Sequence, residues 1–270
     1  MRIGLAIAPE NALPSAFVVF RDKLETSMEK AAELGYDGVE LALLHAKQVD
    51  PRRIKRALMK HGLELPVIST GQVFSEGKLW FTHPDEGVRR TAVERMKELI
   101  ELAAHLEAKV NVGRVRGYVH EGESRETAEE RFLECMAECA DFAASFGVEL
   151  LLEPVNRYEI NYINSVSEAL DVLRKLRRPN VKVMPDVFHM NIEDASIPGS
   201  LEEAGQLVGY VHVADSNRWA PGYGHLDFSE ILRALRRISY DWYITAEILP
   251  YPDPDAAAEC AIRYLRELLA

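Results

Sequence analysis

The chain has 270 residues, of which 47% are hydrophobic, and 43 acidic residues against 32 basic ones give it a formal net charge of −11. This composition excludes an intrinsically disordered chain, a collagen-like repeat and a disulfide scaffold. A chain of this length also buries a sizeable core without cross-links. The acidic charge argues against a non-specific nucleic-acid binder, because such proteins present a basic face to the phosphates.

The sequence shows no targeting or membrane-spanning segment. The apolar run at residues 1–8 is too short for a signal peptide, and no apolar run approaches the roughly 18 residues of a membrane span. Cys139 lies in an apolar stripe with helical spacing, which is typical of a buried thiol, and its spacing from Cys135 is a poor zinc pattern. With Cys260, these unpaired cysteines favour a reducing compartment. We therefore expect a cytoplasmic protein without a membrane partner.

Short apolar runs alternate with amphipathic helical patterns along the whole chain. The runs are rich in β-branched residues, as buried strands are. The segments between them place apolar residues at steps of three and four, as in residues 86–107. In chain order, the eight predicted strands are 2–8, 38–43, 66–72, 109–115, 149–155, 181–187, 208–214 and 242–249.

Residues that favour helix ends lie between these runs. Asp50-Pro51 is a favoured helix start. Three helical patterns are followed by a glycine suited to a left-handed C-cap: Gly35, Gly62 and Gly147. Three capping boxes predict the starts of helices five, six and seven: Ser165–Glu168, Ser200–Glu203 and Asp227–Glu230.

Eight strand–helix units without a linker predict an α/β fold, a (β/α)8 TIM barrel that forms a single domain over residues 1–270. The alternative is an open doubly wound sheet. The turn after the first strand argues against that alternative, because it reads Ala-Pro-Glu-Asn-Ala and lacks a glycine-rich phosphate loop. No Walker motif is present either.

Four ionisable residues close the apolar runs of strands five to eight: Glu153, Asp186, His212 and Glu247. In a barrel these strand ends meet at one rim. Three carboxylates and an imidazole would repel one another there and be costly to bury, and a divalent cation removes that cost. An oxygen-rich set with one nitrogen suits Mn²⁺, Mg²⁺ or Co²⁺. We expect one divalent ion per chain, with Mn²⁺ as the first choice.

Two further polar residues accompany this quartet, and two arginines follow strand four. His189 and Arg218 lie shortly after Asp186 and His212, where they are expected to hydrogen-bond a substrate oxygen. Arg114 and Arg116 alternate at a glycine-flanked strand end, and paired guanidinium groups suit a substrate carboxylate or phosphate. The alternative is that one is solvated and the other pairs a carboxylate at the rim. Four aromatic residues are candidates for an apolar wall of the site: Trp80, Phe81, Trp219 and Tyr223.

These motifs together resemble a known family. The segments that begin at Glu153, Asp186 and His212, with Glu247, are similar to those of the xylose-isomerase-like barrels, and within them to the ketose 3-epimerases related to D-tagatose 3-epimerase. The resemblance extends over essentially the whole chain. It implies that the quartet binds the metal and that Glu153 and Glu247 are also the two catalytic bases. It also implies substrate contacts for Glu159, His189 and Arg218, and a homo-oligomer, either a dimer or a tetramer.

The segment after strand seven departs from the ketohexose epimerase pattern. Ala214 and Asp215 stand where those enzymes more often have Gly and Glu. The form His-Val-Ala-Asp-Ser-Asn-Arg-Trp-Ala-Pro-Gly resembles the 5-keto-L-gluconate epimerases of bacterial inositol breakdown, which act on a ketouronate. The resemblance therefore implies a ketose or a ketouronate, such as 5-keto-L-gluconate or D-tagaturonate, as substrate.

The expected reaction inverts the carbon next to a ketone. One glutamate removes a proton from one face, the metal stabilises the enediolate, and the other glutamate returns a proton to the opposite face. Alternatives on the same barrel are an aldose–ketose isomerase and an inosose dehydratase. A DNA-repair nuclease of the endonuclease IV type is disfavoured by the acidic charge and by the scatter of the other histidines. A non-catalytic sugar-binding barrel is disfavoured by the intact quartet.

Overall fold

Eight parallel strands curl into a closed barrel in the computed structural model, which describes residues 1–14 and 17–270. The strands are β1 Arg2–Pro9, β2 Gly38–Ala42, β3 Val67–Ser69, β4 Lys109–Val112, β5 Leu150–Leu152, β6 Val181–Val183, β7 Val211–Val213 and β8 Tyr243–Ala246. Ladders join all neighbours from β1 to β6, β7 to β8, and β8 to β1. Bridges from Val183 to Val208 and from Asp186 to His212 close the ring between β6 and β7. The predicted (β/α)8 barrel is confirmed.

Helices surround the barrel. In the described part of the chain they are α1 Leu24–Leu34, α2 Pro51–His61, α3 Gly71–Ser75, α4 Glu86–Leu106, α5 Arg125–Ser145, α6 Val166–Leu176, α7 Val187–Glu193, α8 Ile197–Ala204, α9 Phe228–Arg237 and α10 Pro254–Leu269. A three-residue strand, Phe20–Asp22, pairs with the end of β1 outside the ring. None of the helices in the described residues combines the length and apolar character needed to cross a membrane.

Most predicted helix ends are confirmed. Gly35 and Gly62 are left-handed C-caps with φ of 90° and 67°, and the Asp50 side chain caps α2. Ser165 and Asp227 accept hydrogen bonds from the Glu168 and Glu230 amides, as expected of capping boxes.

The predicted capping box at Ser200 is wrong. Helix α8 begins four residues earlier, because Ser196 is its N-cap and Pro198 lies in its first turn. The Ser200 hydroxyl therefore lies inside the helix and donates to Asp194 instead.

The strands alternate between two environments. In β1, Ile3, Leu5 and Ile7 belong to the core between the barrel and the helices. The residues between them are small and face the barrel interior; a Cβ on Gly4 would lie 2.3 Å from the Thr245 hydroxyl. Below the carboxyl ends of the strands, five fully buried side chains fill this interior: Val67, Leu151, Met184, Tyr210 and Tyr243. These side chains fill the barrel interior beneath the site, so the pocket opens only at the carboxyl ends of the strands.

The strand ladders are shorter than the apolar runs predicted. Strand β5, for example, ends at Leu152, although residues 149–155 read as one run. Glu153 and Glu247 therefore each follow the last ladder residue of a strand directly. Such residues keep the strand's inward direction while their neighbours leave the sheet, so the polar groups gather at the mouth of the barrel.

The cysteines behave as small buried residues or remain at the surface. Cys139 in α5 is fully buried, as predicted, Cys135 is nearly so, and Cys260 is partly exposed. None of the three forms a disulfide in the described residues.

Candidate metal centre and pocket

The four predicted ligands meet at the mouth of the barrel. Glu153, Asp186, His212 and Glu247 each offer one ligand atom, and these atoms lie within 4.8 Å of one another. His212 Nδ1 is 3.4 Å from Glu153 Oε1, 3.9 Å from Asp186 Oδ2 and 3.9 Å from Glu247 Oε2. Among residues 1–14 and 17–270, this is the one set of three or more His, Cys, Asp or Glu side chains with such a geometry.

A hydrogen bond to the main chain fixes the direction of Asp186. Asp186 is the N-cap of α7, and its Oδ1 accepts the Phe188 amide at 2.8 Å. Its other oxygen, Oδ2, is buried without a hydrogen-bond partner, and so is His212 Nδ1. Two unpartnered polar atoms facing each other are costly in a protein interior. A divalent cation between them satisfies both, so the residues present fit such an ion.

The buried carboxylates of the quartet also require a positive charge close to them. Burial raises the pKa of Glu247 to about 8 and that of Asp186 to about 6. Burial opposes the charge on His212, but the carboxylates of Glu40 and Glu247 outweigh it and raise the pKa of His212 well above its usual value. In the metal-free protein a protonated imidazole thus supplies the positive charge that the carboxylates require.

Glu153 differs from Glu247 in its surroundings. Burial raises the pKa of Glu153, but His212 outweighs that effect and lowers the pKa to about 2. Glu153 Oε2 accepts a hydrogen bond of 2.8 Å from Asn111 Nδ2, whereas Glu247 Oε2 accepts one of 2.9 Å from Arg218 Nη2. Each carboxylate is therefore held by a separate donor.

His189 and Arg218 lie where the sequence analysis expected them. Both line the same pocket as Glu153 and Glu247. His189 Nε2 is 3.7 Å from Asp186 Oδ2, and its Nδ1 lies 2.7 Å from Asn156 Nδ2. Burial lowers the pKa of His189 well below its usual value, so the ring is neutral at neutral pH.

Arg218 is the central cation of the pocket. It donates to Glu159 Oε1 at 2.6 Å and to Glu247 at 2.9 Å. Its guanidinium lies 3.6 Å from the Phe17 ring centre and 4.7 Å from that of Phe188, so it also makes cation–π contacts with two aromatic rings. Glu159 also lines the pocket, where its carboxylate is bound to Arg218.

The two arginines after β4 have different positions, which the sequence did not distinguish. Arg114 lines the pocket and lies 3.7 Å from Glu159. Arg116 is fully buried and does not line the pocket. Its guanidinium donates to four main-chain carbonyls: those of Gly113, Glu153, Tyr162 and Ile163.

The expectation of a substrate contact for Arg116 is therefore corrected. Nearly all its donors hold the loops after β4 and β5, including the main chain of Glu153, and burial lowers the pKa of Arg116 to about 10. Arg116→Met will leave four buried carbonyls without a donor, and we expect a loss of about 4 kcal/mol in the free energy of unfolding. Urea unfolding measures it, with Arg114→Met, expected to change stability by less than about 1 kcal/mol, as the matched control. Equal stability of the two variants would contradict this role.

The predicted aromatic wall is also corrected. Phe81 is fully buried against Phe132, Trp80 packs among other aromatic rings, and Trp219 stacks on Tyr251. With Tyr223, which contacts Cys260, none of these predicted aromatic residues lines the pocket. The aromatic residue that does is Phe17, which no sequence pattern singled out.

Asp215, which differs from the ketohexose epimerase pattern in the segment after β7, does not line the pocket either. It is fully buried, and its carboxylate accepts the main-chain amides of Ser216, Gly222 and Leu226. Gly224 allows this close approach, because a Cβ there would lie 2.2 Å from Asp215 Oδ1. Asp215 thus shapes the loop that carries Arg218.

Three residues that support the site were missed by the sequence analysis. Asn111 holds Glu153, Asn156 holds His189, and the fully buried Glu40 accepts a hydrogen bond from His212 Nε2 at 2.9 Å. Glu40 and Asn111 each lie inside an apolar strand, whereas the predicted site residues lie at or after the strand ends. A polar residue at an inward position of a buried strand was the available signal.

Comparisons with known proteins identify the family of this chain and its relatives. The family model described as a xylose isomerase-like TIM barrel matches residues 28–268. The ketose 3-epimerase of Arthrobacter globiformis is 31% identical over 229 residues, which cover 82% of this chain and 76% of that protein. The 3-dehydro-D-guloside 4-epimerase of Escherichia coli is 34% identical over 125 residues, 46% of this chain and 48% of that protein.

A solved structure extends the likeness over the whole chain. The D-psicose 3-epimerase of Clostridium cellulolyticum H10, crystallised with D-tagatose, superposes with a TM-score of 0.86 at 25% identity, covering 100% of this chain and 99% of that one. All three proteins are named as epimerases, which are isomerases, and the predicted enzyme class is confirmed.

Proposed function

Because the chain belongs to the xylose isomerase-like TIM barrel family, we propose that it is a divalent-metal-dependent epimerase that inverts the carbon next to the ketone of a ketose or ketouronate. The observation that carries the proposal is the pair Glu153 and Glu247. They line one pocket from strands three positions apart in the barrel, around the unpartnered ligand atoms of Asp186 and His212. Carbon 3 of a 2-ketose and carbon 4 of a 3-keto sugar both lie beside the ketone, so the names of the relatives support one chemistry.

The quartet Glu153, Asp186, His212 and Glu247 would hold the cation, and Mn²⁺, Co²⁺ or Mg²⁺ suits its oxygen-rich set. A bound divalent cation supplies Lewis-acid stabilisation of the negative charge that develops on the substrate oxygens. The remaining chemistry is proton transfer, which the side chains of the chain perform themselves.

Glu153 and Glu247 are proposed as the two bases. One removes the proton on the carbon beside the ketone, and the other returns a proton to the opposite face, which inverts that carbon. Asn111 and Arg218 fix the two carboxylates separately. This separate anchoring supports two independent proton carriers on the two sides of one carbon.

His189 and Arg218 are proposed to bind substrate oxygens. Asn156 holds the His189 ring, and burial keeps that ring neutral, so it donates one N–H without adding charge. Arg218 supplies a permanent charge beside Glu247. Donors fixed in advance toward a developing oxyanion stabilise it more than donors that must reorient.

We propose that the substrate is a sugar acid, a ketouronate such as 5-keto-L-gluconate or D-tagaturonate. Arg114 would bind its carboxylate. The Glu159 carboxylate is already bound to Arg218 at 2.6 Å, and at 3.7 Å it lies beyond hydrogen-bond distance from Arg114. Arg114 therefore keeps its donor fork for a substrate carboxylate, a geometry that suits bidentate binding.

Arg114→Met is expected to lower kcat/KM for a ketouronate by about 30-fold, the value of a charge-assisted hydrogen bond, and for a neutral ketohexose by less than about 3-fold. Steady-state kinetics with D-tagaturonate and D-tagatose measure this ratio. Arg157→Met is the matched control, because Arg157 is an exposed arginine of the neighbouring loop that pairs with Glu193. An equal loss on both substrates would exclude carboxylate recognition by Arg114.

The reaction itself is tested in D₂O with metal-loaded protein, by NMR of the carbon next to the ketone. We expect deuterium at C3 of a 2-ketose, together with signals of the epimer. Exchange at C1 instead would identify an aldose–ketose isomerase, and loss of water with a new carbonyl absorbance would identify a dehydratase. Binding without any exchange would identify a sugar-binding barrel, and each of these outcomes would overturn the proposal.

A further inference from the structure

A buried carboxylate lies beneath the proposed metal site, where the mechanism above does not use it. Glu40 stands in the middle of β2, with none of its surface exposed. Its Oε2 lies 2.9 Å from His212 Nε2, the ring nitrogen that faces away from the other three members of the quartet. His212 is thus held from both sides.

The barrel is built so that this contact forms across its interior. Strands β2 and β7 are not neighbours, because β1 and β8 lie between them. On β1, Ala6 is in register with Glu40, and Gly4 is in register with both Gly38 and Thr245. The residue level with Glu40 on the intervening strand is thus an alanine, and its short side chain does not reach across the path from Glu40 to His212.

Packing alone does not account for a carboxylate at this position. Glu40 Oε1 is buried without a hydrogen-bond partner, and an incompletely paired carboxylate in a protein interior is costly. The nearby Tyr210 hydroxyl hydrogen-bonds Thr245. An apolar residue of similar volume would fill this space at a lower cost, so the contact with His212 is the feature that the carboxylate provides.

We propose that Glu40 is a positioning residue for the metal site. By accepting the Nε2–H of His212, it fixes the imidazole in the tautomer that leaves the Nδ1 lone pair directed at Glu153, Asp186 and Glu247. Carboxylates that hold a ligating histidine in this way are known to strengthen metal binding. The inference rests on the proposed metal-dependent function, and it concerns how tightly the ion is held.

The test is Mn²⁺ affinity, measured by competition with a fluorescent chelator on purified full-length protein. Glu40→Gln keeps the size of the side chain, but its amide offers a donor as readily as an acceptor, so the tautomer is no longer fixed. We expect the Mn²⁺ dissociation constant to rise about 10- to 100-fold. Glu193→Gln is the matched control, since Glu193 is also nearly buried and hydrogen-bonded but pairs with Arg157, away from the quartet; its affinity is expected to equal that of the unaltered protein.

A second measurement needs no variant. In the Mg²⁺-loaded protein, the ¹⁵N shifts of the His212 ring are expected to show a proton on Nε2 and none on Nδ1. Equal Mn²⁺ affinities of Glu40→Gln and Glu193→Gln would overturn the role of Glu40 and leave the proposed function standing. A proton on Nδ1 would overturn both, because it would exclude His212 as a ligand. Failure of the unaltered protein to bind Mn²⁺ would overturn both.

Discussion

Glu153→Gln and Glu247→Gln will each lower the rate of epimerisation by about 10³-fold, because proton transfer by a positioned carboxylate contributes about 10² to 10⁴-fold to enzymatic rates. The glutamine keeps the shape and one oxygen of the side chain, so the pocket stays intact. Each variant is measured by polarimetry and by ¹H NMR in D₂O, with its metal content determined in parallel. A variant that has lost its metal is compared only after the metal has been restored.

The two variants are expected to differ in one informative respect. In each variant the remaining glutamate can still remove a proton and return one on its own face of the carbon. Each variant should therefore exchange deuterium into one epimer without converting it into the other. Glu153→Gln and Glu247→Gln should act on opposite epimers. Near-normal turnover of both variants would contradict the two-base assignment, and exchange into the same epimer by both would show that the two glutamates do not act on opposite faces of the carbon. Glu193→Gln, away from the pocket, serves as the unaffected control.

The quartet could be found in the sequence because of its position in the strands. Each of its members interrupts or closes an apolar run, and in a barrel all strands end at one rim. A buried strand has few reasons to end on Glu or Asp, so the pattern itself indicated both the place and the chemistry. The structure brings the four side chains together as this argument predicts.

Arg114 and Arg116 show where such reasoning fails. Both are arginines two residues apart at the same strand end, and both suited a substrate anion equally well. Their difference lies in main-chain carbonyls of a loop after β5, which turn toward Arg116 and bind its guanidinium. The direction of a loop carbonyl depends on local dihedral angles that residue types do not determine, so the buried role of Arg116 emerges only from the three-dimensional structure.

Glu40 was missed for a different reason. It is the one charged residue in β2, yet its significance depends on a partner 172 positions away, on a strand that is not its neighbour. The inward direction of a strand residue follows from period-two alternation, but its contact across the barrel depends on a small residue of the strand between. Ala6, the residue of β1 in register with Glu40, gives no sign of this contact in the sequence.

Removal of the divalent ion will abolish activity, with a loss of more than about 10³-fold, since Lewis-acid stabilisation of developing charge contributes several kcal/mol to such reactions. The measurement is dialysis against EDTA, metal analysis by mass spectrometry, and the D₂O exchange assay before and after each of Mn²⁺, Co²⁺ and Mg²⁺ is restored. Dialysis without chelator is the control. Full activity in a preparation shown to contain no metal would contradict the proposed function.

The stability of the protein should respond to the ion with a defined pH dependence. In the metal-free protein the pKa values of Asp186 and Glu247 are raised, first of all by burial. A carboxyl with a raised folded-state pKa stabilises the fold below its unfolded pKa and loses that contribution as the pH rises through the folded value. The metal-free protein should therefore lose stability between about pH 4, the ordinary pKa of these carboxyls, and about pH 8, the raised value of Glu247.

The metal-loaded protein should behave in the opposite way over this range, because the ion binds the deprotonated carboxylates and competes with their protons. We therefore expect the rise in melting temperature caused by saturating Mn²⁺ to be larger at pH 8 than at pH 6, measured by differential scanning calorimetry at constant ionic strength. Asp186→Asn removes one of the protons that compete with the ion, together with one ligand oxygen, so its metal-induced rise should be smaller and less dependent on pH. A pH-independent rise in the unaltered protein would mean that the ion binds outside the quartet.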